Sequence, residues 1–189
     1  ETPTQPHAAE TTAVFLDGLG DPAQVLCRAL LGQVQPSPGA LGWACSYAAQ
    51  IGDEDLLPLL LRHSQHPKAT SRAAVMAALV SLAPLAERTR AQFESRPESI
   101  AIRDALHQAW GRALADDSSE VRSLALLGMA QSTDAALHPL ALRQALSSLL
   151  PAARLALVEL AARHGQTALL HRAQRDPHPL VRARALRAA

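Results

Sequence analysis

The chain has 189 residues, 48% of them hydrophobic, and a formal net charge of +1; that is material for one domain or one array of repeats, and it argues against general disorder. Only 3% of the residues are aromatic, whereas 39 are Ala and 32 are Leu. This balance disfavours large β-sandwiches, β-barrels and aromatic platforms for nucleic acid, and it favours helices packed through Ala and Leu. The leucine-rich stretches are all interrupted by Arg, Asp, Gln or Pro, short of the ~20 apolar residues of a membrane span.

In chain order, residues 1–11 (opening ETPTQPHAAE) are polar, carry no signal-peptide pattern and read as a linker or disordered segment. A first helical pair is expected at 12–32 and 38–51, its first helix broken where Gly18, Gly20 and Pro22 cluster. A second pair follows at 54–64 and 69–86. The charged stretch RTRAQFESRPES at 88–99 is longer than an ordinary helix connection and reads as an insertion near 88–98. Further pairs are expected at 98–115 and 118–131, at 135–148 and 151–164, and at 166–174 and 178–188. Asp53, Ser118 and Asp134 are placed to cap helices, and Pro177 and Pro179 stand where a missing N–H costs little. The absence of an initial Met and the unfinished helical pattern of LVRARALRAA predict a piece of a larger protein.

The pairs repeat one pattern. DDSSEVRSLALLGMA (116–130), RDPHPLVRARALRAA (175–189) and HPKATSRAAVMAALVSL (66–82) each run from a polar turn through an Arg into an Ala- and Leu-rich helix. The marker arginines are Arg72, Arg122, Arg154 and Arg182, and Gly42 fills the same slot without the charge. A single hairpin has too little core to stand alone, so stacking is required. On these motifs, over residues 12–189, the chain resembles the HEAT-like repeats of the short bacterial kind. The resemblance implies an all-α, right-handed solenoid of about five hairpins. It also implies a ladder of turn Asp and helix Arg, here Asp116 or Asp117 with Arg122 and Asp176 with Arg182. The second repeat departs, having only His66 and Lys68 in its turn. FLDGLG, ALGWACSYAAQIG and RARALRAA are similar to HEAT-repeat proteins associated with type VI secretion.

Charge is unevenly spread. Residues 1–60 hold seven acids and one base, whereas 121–189 hold nine Arg and three acids. Arg forks suit carboxylates, so Arg154, Arg182, Arg184 and Arg187, on second helices, are candidates for contacting a protein partner with an acidic surface. Phe93, in the insertion, is a candidate anchor. Cys27 and Cys45 lie level across the first hairpin, nine residues either side of Pro36. They read as buried small hydrophobes in a cytoplasmic protein, or as a disulfide in a periplasmic one. His63 with His66, and His164 with His171, lack metal-ligand spacing. Ser147 and Ser148 lack a nucleophile context, and no phosphate-binding loop appears. Trp110 reads as core filler. No catalytic residue, metal or cofactor is assigned, and nucleic acid is not the expected partner. The expected function is a non-enzymatic protein-binding scaffold or adaptor. The alternative is a HEAT-like enzyme acting on DNA, of the alkylpurine glycosylase or lyase kind.

Overall fold

The computed structural model describes residues 21–90 and 97–189 except residue 145, and only the backbone of 86–90 and 97–99. The expectations for 1–20, and for Phe93 within 91–96, lie outside the described residues. All regular structure among the described residues is helical: α1 Pro22–Gly32, α2 Pro38–Ile51, a 3₁₀ turn Glu54–Leu56, α3 Leu57–Arg62, α4 Ala69–Arg90, α5 Pro97–Leu114, α6 Ser119–Gln131, α7 His138–Arg143, α8 Pro151–Arg163, α9 Thr167–Ala173 and α10 Pro179–Ala188. No helix among them is long and apolar enough to cross a membrane.

Local chemistry starts and stops these helices. Pro stands at the first or second position of α1, α2, α3, α7, α8 and α10, where its N–H would be unpaired in any case. Asp21 caps α1 and Ser37 caps α2. Asp53 accepts from the Asp55 N–H, and Asp134 from the Ala136 N–H. Ser118 makes no side-chain cap; its own N–H donates to Asp116. Gly52 ends α2 at a φ of 69°, a left-handed conformation that a side chain would strain. The fourth pair departs most from expectation. The helix expected over 135–148 is the six-residue α7, and residues 147–150 are a non-helical connection in which Ser147 and Ser148 bond to the main chain.

The helices pair in sequence, α1 with α2, α3 with α4, α5 with α6, α7 with α8 and α9 with α10. The second member of each pair packs on the second member of the next, so that α2, α4, α6, α8 and α10 form one continuous succession. Its core is mainly Ala, Leu and Val, with Met76, Met129 and Trp110 filling wider gaps. A smaller cluster of Val158, Ala161, Leu170, Ala173, Val181 and Ala185 holds α9 and α10 onto α8. Small side chains along the succession let the helix backbones approach closely. The closest case is Gly128 on α6, where a Cβ would stand 2.6 Å from Cη2 of Trp110.

Candidate functional site

Four turns share one hydrogen-bonded construction. In each, a turn-opening residue accepts the backbone N–H two residues on: His66 from Lys68, Asp116 from Ser118, Ser148 from Leu150 and Asp176 from His178. Six residues after it stands a marker Arg, whose Nη1 donates to the first two carbonyls of the same turn. Arg72 binds the His66 and Pro67 oxygens, each at 2.9 Å. Arg122 binds those of Asp116 and Asp117 at 2.6 and 2.9 Å. Arg154 binds those of Ser148 and Leu149 at 2.8 and 3.1 Å. Arg182 binds those of Asp176 and Pro177 at 2.8 and 2.9 Å. Donors on the helix thereby satisfy carbonyls that the turn would leave exposed.

In two of the four, Arg72 and Arg154, the other edge of the guanidinium reaches forward to the next turn; Arg122, whose next turn opens with Ser148, makes no such fork among the described residues. Arg72 forks Asp116 through Nε and Nη2 at 2.6 and 2.9 Å. Arg154 forks Asp176 at 2.8 and 3.1 Å. The expected pairings, Asp116 or Asp117 with Arg122 and Asp176 with Arg182, are therefore displaced by one pair. The reason is geometric. An Arg at the fourth position of a helix, six residues after the turn opens, reaches back to the main chain of its own turn, and the carboxylate of that turn faces the preceding helix pair. Asp117 is exposed and contributes its carbonyl. The second turn, despite lacking an acid, carries a complete rung because its partner lies in the third turn. The Arg72 fork holds Asp116 below the usual carboxylate range against the opposing effect of burial. Burial pushes Asp176 up, but the Arg154 fork, the His178 N–H and the neighbouring positive charges outweigh it and hold that carboxyl low as well.

The candidate binding residues are dispersed. Arg154 is 8% exposed and is consumed by its turn and by Asp176, which leaves its guanidinium no free edge. Arg184 pairs with Glu159 on the surface at 3.1 Å. Arg187 is exposed and donates to the Ala183 carbonyl. Arg182 is half-buried with only Nη1 engaged. The structure instead gathers Arg172 and Arg175 with His171 and Leu146 around an open groove of about 460 Å³, floored by Asp176 and Pro177. These residues belong to the arginine-rich end of the sequence. Leu146 lines the groove from the preceding pair.

A second hollow, of about 480 Å³, lies between α7 and the end of α8. His138 bonds the Ser132 carbonyl through Nε2 at 3.0 Å and faces Nε2 of His164 through Nδ1 at 3.1 Å. A carbonyl only accepts, so His138 Nε2 carries a proton, and in the neutral ring Nδ1 accepts from His164. His164 thus meets His138, 26 residues away, and not His171; no local spacing marks that pair. His63 and His66 are also engaged, His63 with the Leu31 carbonyl at 2.8 Å and His66 with the Lys68 N–H. No group of three metal-binding side chains occurs among the described residues.

Cys27 and Cys45 are both free and buried, and the Cys27 thiol donates to the Ala44 carbonyl at 3.4 Å. Trp110 is buried against Gly128, as core filler. Trp43 is exposed and stacks on Tyr47 with ring centroids 5.3 Å apart. The Tyr47 hydroxyl donates to Asp21, which together with burial pushes the phenol up to about 12. Compared with known proteins, the chain matches no family model and no curated protein.

Proposed function

We propose that the chain is a right-handed α-solenoid of about five HEAT-like hairpins (22–51, 57–90, 97–131, 138–163 and 167–188) acting as a non-enzymatic scaffold for a protein partner with an acidic surface. The succession of second helices and the turn construction repeated four times support the solenoid. The binding role rests on the charge left over in the last third. Each of its three acids is engaged there: Asp134 by His107 at 3.0 Å, Glu159 by Arg184 and Asp176 by Arg154. Arg143, Arg172, Arg175 and Arg187 are exposed and have no carboxylate partner among the described residues. A fork-shaped donor in an open groove suits carboxylates, whereas the acidic amino-terminal third opposes an extended track of DNA phosphates.

The test is capture of partners from lysate with the full chain and with an Arg172→Glu, Arg175→Glu variant. Any retained protein is then purified and titrated at several salt concentrations. The expected result is one protein held by the unsubstituted chain and bound at least tenfold more weakly by the variant, with association slowed by salt. Undiminished binding by the variant, or salt-sensitive retention of duplex DNA alone, would overturn the reading.

A further inference from the structure

The hollow between α7 and the end of α8 brings two imidazoles together. His138, Arg143, His164 and Gln166 line it, with Leu142 and Leu169 beside them. His138 opens α7 and is only 6% exposed. Its Nε2–H is spent on the Ser132 carbonyl at 3.0 Å, so the lone pair of a neutral ring lies on Nδ1, which meets Nε2 of His164 at 3.1 Å. His164 directly follows α8 and is exposed, which gives the pair a path to solvent. The rings meet edge to face, 73° apart in plane and 5.2 Å between centroids. They do not stack, and their in-plane lone pairs are free to converge on one point. In the metal-free pair one proton sits between the two nitrogens. The same separation is also the bite of a chelate. Two metal–nitrogen bonds of about 2.0–2.1 Å, at angles between square-planar and tetrahedral, hold their nitrogens roughly 2.9–3.4 Å apart.

We infer that Nδ1 of His138 and Nε2 of His164 form a two-histidine site for a divalent transition cation of the zinc class. The Ser132 carbonyl behind His138 fixes both the ring and its tautomer, as metal-bound imidazoles require. His164 joins by moving its ring proton from Nε2 to Nδ1, so no proton is released overall and only the shared hydrogen bond is given up. Imidazole nitrogens suit zinc, nickel or copper, whereas calcium and magnesium call for oxygen ligands. Water from the hollow fills the remaining coordination positions. Arg143 opposes the cation by charge, but it is exposed and screened by solvent. The bound ion would tie the start of α7 to the end of α8 more firmly than the shared proton does. The site depends neither on the scaffold reading nor on the Arg172 and Arg175 groove.

The test adds zinc chloride to the full chain in a buffer that does not chelate it. Binding is followed by calorimetry and by the long-range proton–nitrogen spectra of the imidazoles. One zinc per chain is expected at this pair. His164 should exchange its Nε2–H for an Nδ1–H while His138 keeps its proton on Nε2, a change of tautomer that a purely hydrogen-bonded pair would not show on titration. His164→Ala removes an exposed side chain, whose place water in the hollow takes, so the fold is retained; zinc should then bind at least tenfold more weakly. His178→Ala, at the start of α10, should leave zinc binding unchanged, and excess magnesium should not compete. The inference fails if His164→Ala binds zinc as tightly as the unsubstituted chain. It fails equally if zinc moves the signals of other histidines and leaves those of His138 in place, or if no binding occurs at about 1 mM zinc.

Discussion

The smallest unit that decides this fold is the rung between a marker arginine and the acid of the next turn. The Arg154–Asp176 rung is nearly closed to water, the two side chains being 10% and 4% exposed. Removing one partner of a buried pair leaves the other uncompensated. Asp176→Ala should therefore cost about 3–5 kcal/mol, whereas the exposed Asp117→Ala should change stability by less than about 0.5 kcal/mol; urea unfolding of both variants measures the contrast. The same rungs set a pH dependence. Asp116 and Asp176 are held low in the folded chain, so the unfolded chain binds protons more readily. Their contribution is fully present above the unfolded carboxyl value, ~3.9, and is lost as pH falls through the lower folded values. Unfolding free energies taken from neutral pH into the acid range should decline accordingly, and Asp116→Asn with Asp176→Asn should flatten the decline. The cysteines add an independent check. Burial first, and Cys27 second, push the Cys45 thiol up to about 12, while burial raises Cys27. The thiolate is the reactive form, so a thiol reagent should modify neither residue at an appreciable rate until denaturant is added. Rapid modification of both in the native chain would contradict the packing of α1 on α2.

At the scale of the helix, composition allows many arrangements and a few contacts select one. Trp110 on α5 presses its ring against the backbone of Gly128 on α6. A methyl at Gly128 has no room, so Gly128→Ala should destabilise by about 1–3 kcal/mol through overpacking. Gly111 lies in the last turn of α5 with open space around it. There the added methyl only removes backbone freedom from the unfolded chain, and Gly111→Ala should stabilise by about 0.5–1 kcal/mol. Thermal unfolding of the two single variants gives opposite signs if α5 and α6 meet through this ring. Most helix boundaries were legible from caps and prolines, because those signals act within a few residues of the end they mark. The exceptions have physical causes. The Ala- and Leu-rich run over 135–148 has helical composition throughout, but Ser147 and Ser148 bond to the main chain in a non-helical connection there, as short hydroxyl side chains do in competition with the helix. Ser118 stands at the N-cap position but its hydroxyl makes no cap; the hydrogen bond at this helix start is that of its own N–H to Asp116, which is held in place by Arg72.

Across the whole molecule, stability is graded along the succession of second helices. The main core runs from Cys27 to Leu160, whereas α9 and α10 rest on a smaller cluster of four Ala-or-Val positions on either side of Leu170 and Ala173. Since each pair contacts only its neighbours, opening can begin at one end. Amide hydrogen exchange should therefore be fastest in α9 and α10 among the long-lived helices and slowest in α4 and α6. Asp176→Asn should accelerate exchange at the carboxyl-terminal end while leaving α4 unchanged, and uniform protection along the chain would contradict this order. The charge distribution acts at the same scale. Acids gather before residue 61 and arginines after residue 120, so a charged partner meets different fields at the two ends, an effect that salt weakens.

The amino-acid sequence by itself determined that this chain is helical, where most helices start and stop, and that an arginine marks each of four turns. These are properties of short segments, set by propensity, capping and periodicity. Only the tertiary structure decided whom the arginines serve. Arg72 and Asp116 are 44 residues apart, and Arg154 and Asp176 are 22 apart, so no fixed spacing announces the partners. Each guanidinium has two edges, and the helix in which it sits gives only one of them to its own turn. At Arg72 and Arg154 the other edge is taken by the aspartate of the pair that stacks next. That is why Arg154, free in appearance, proves buried.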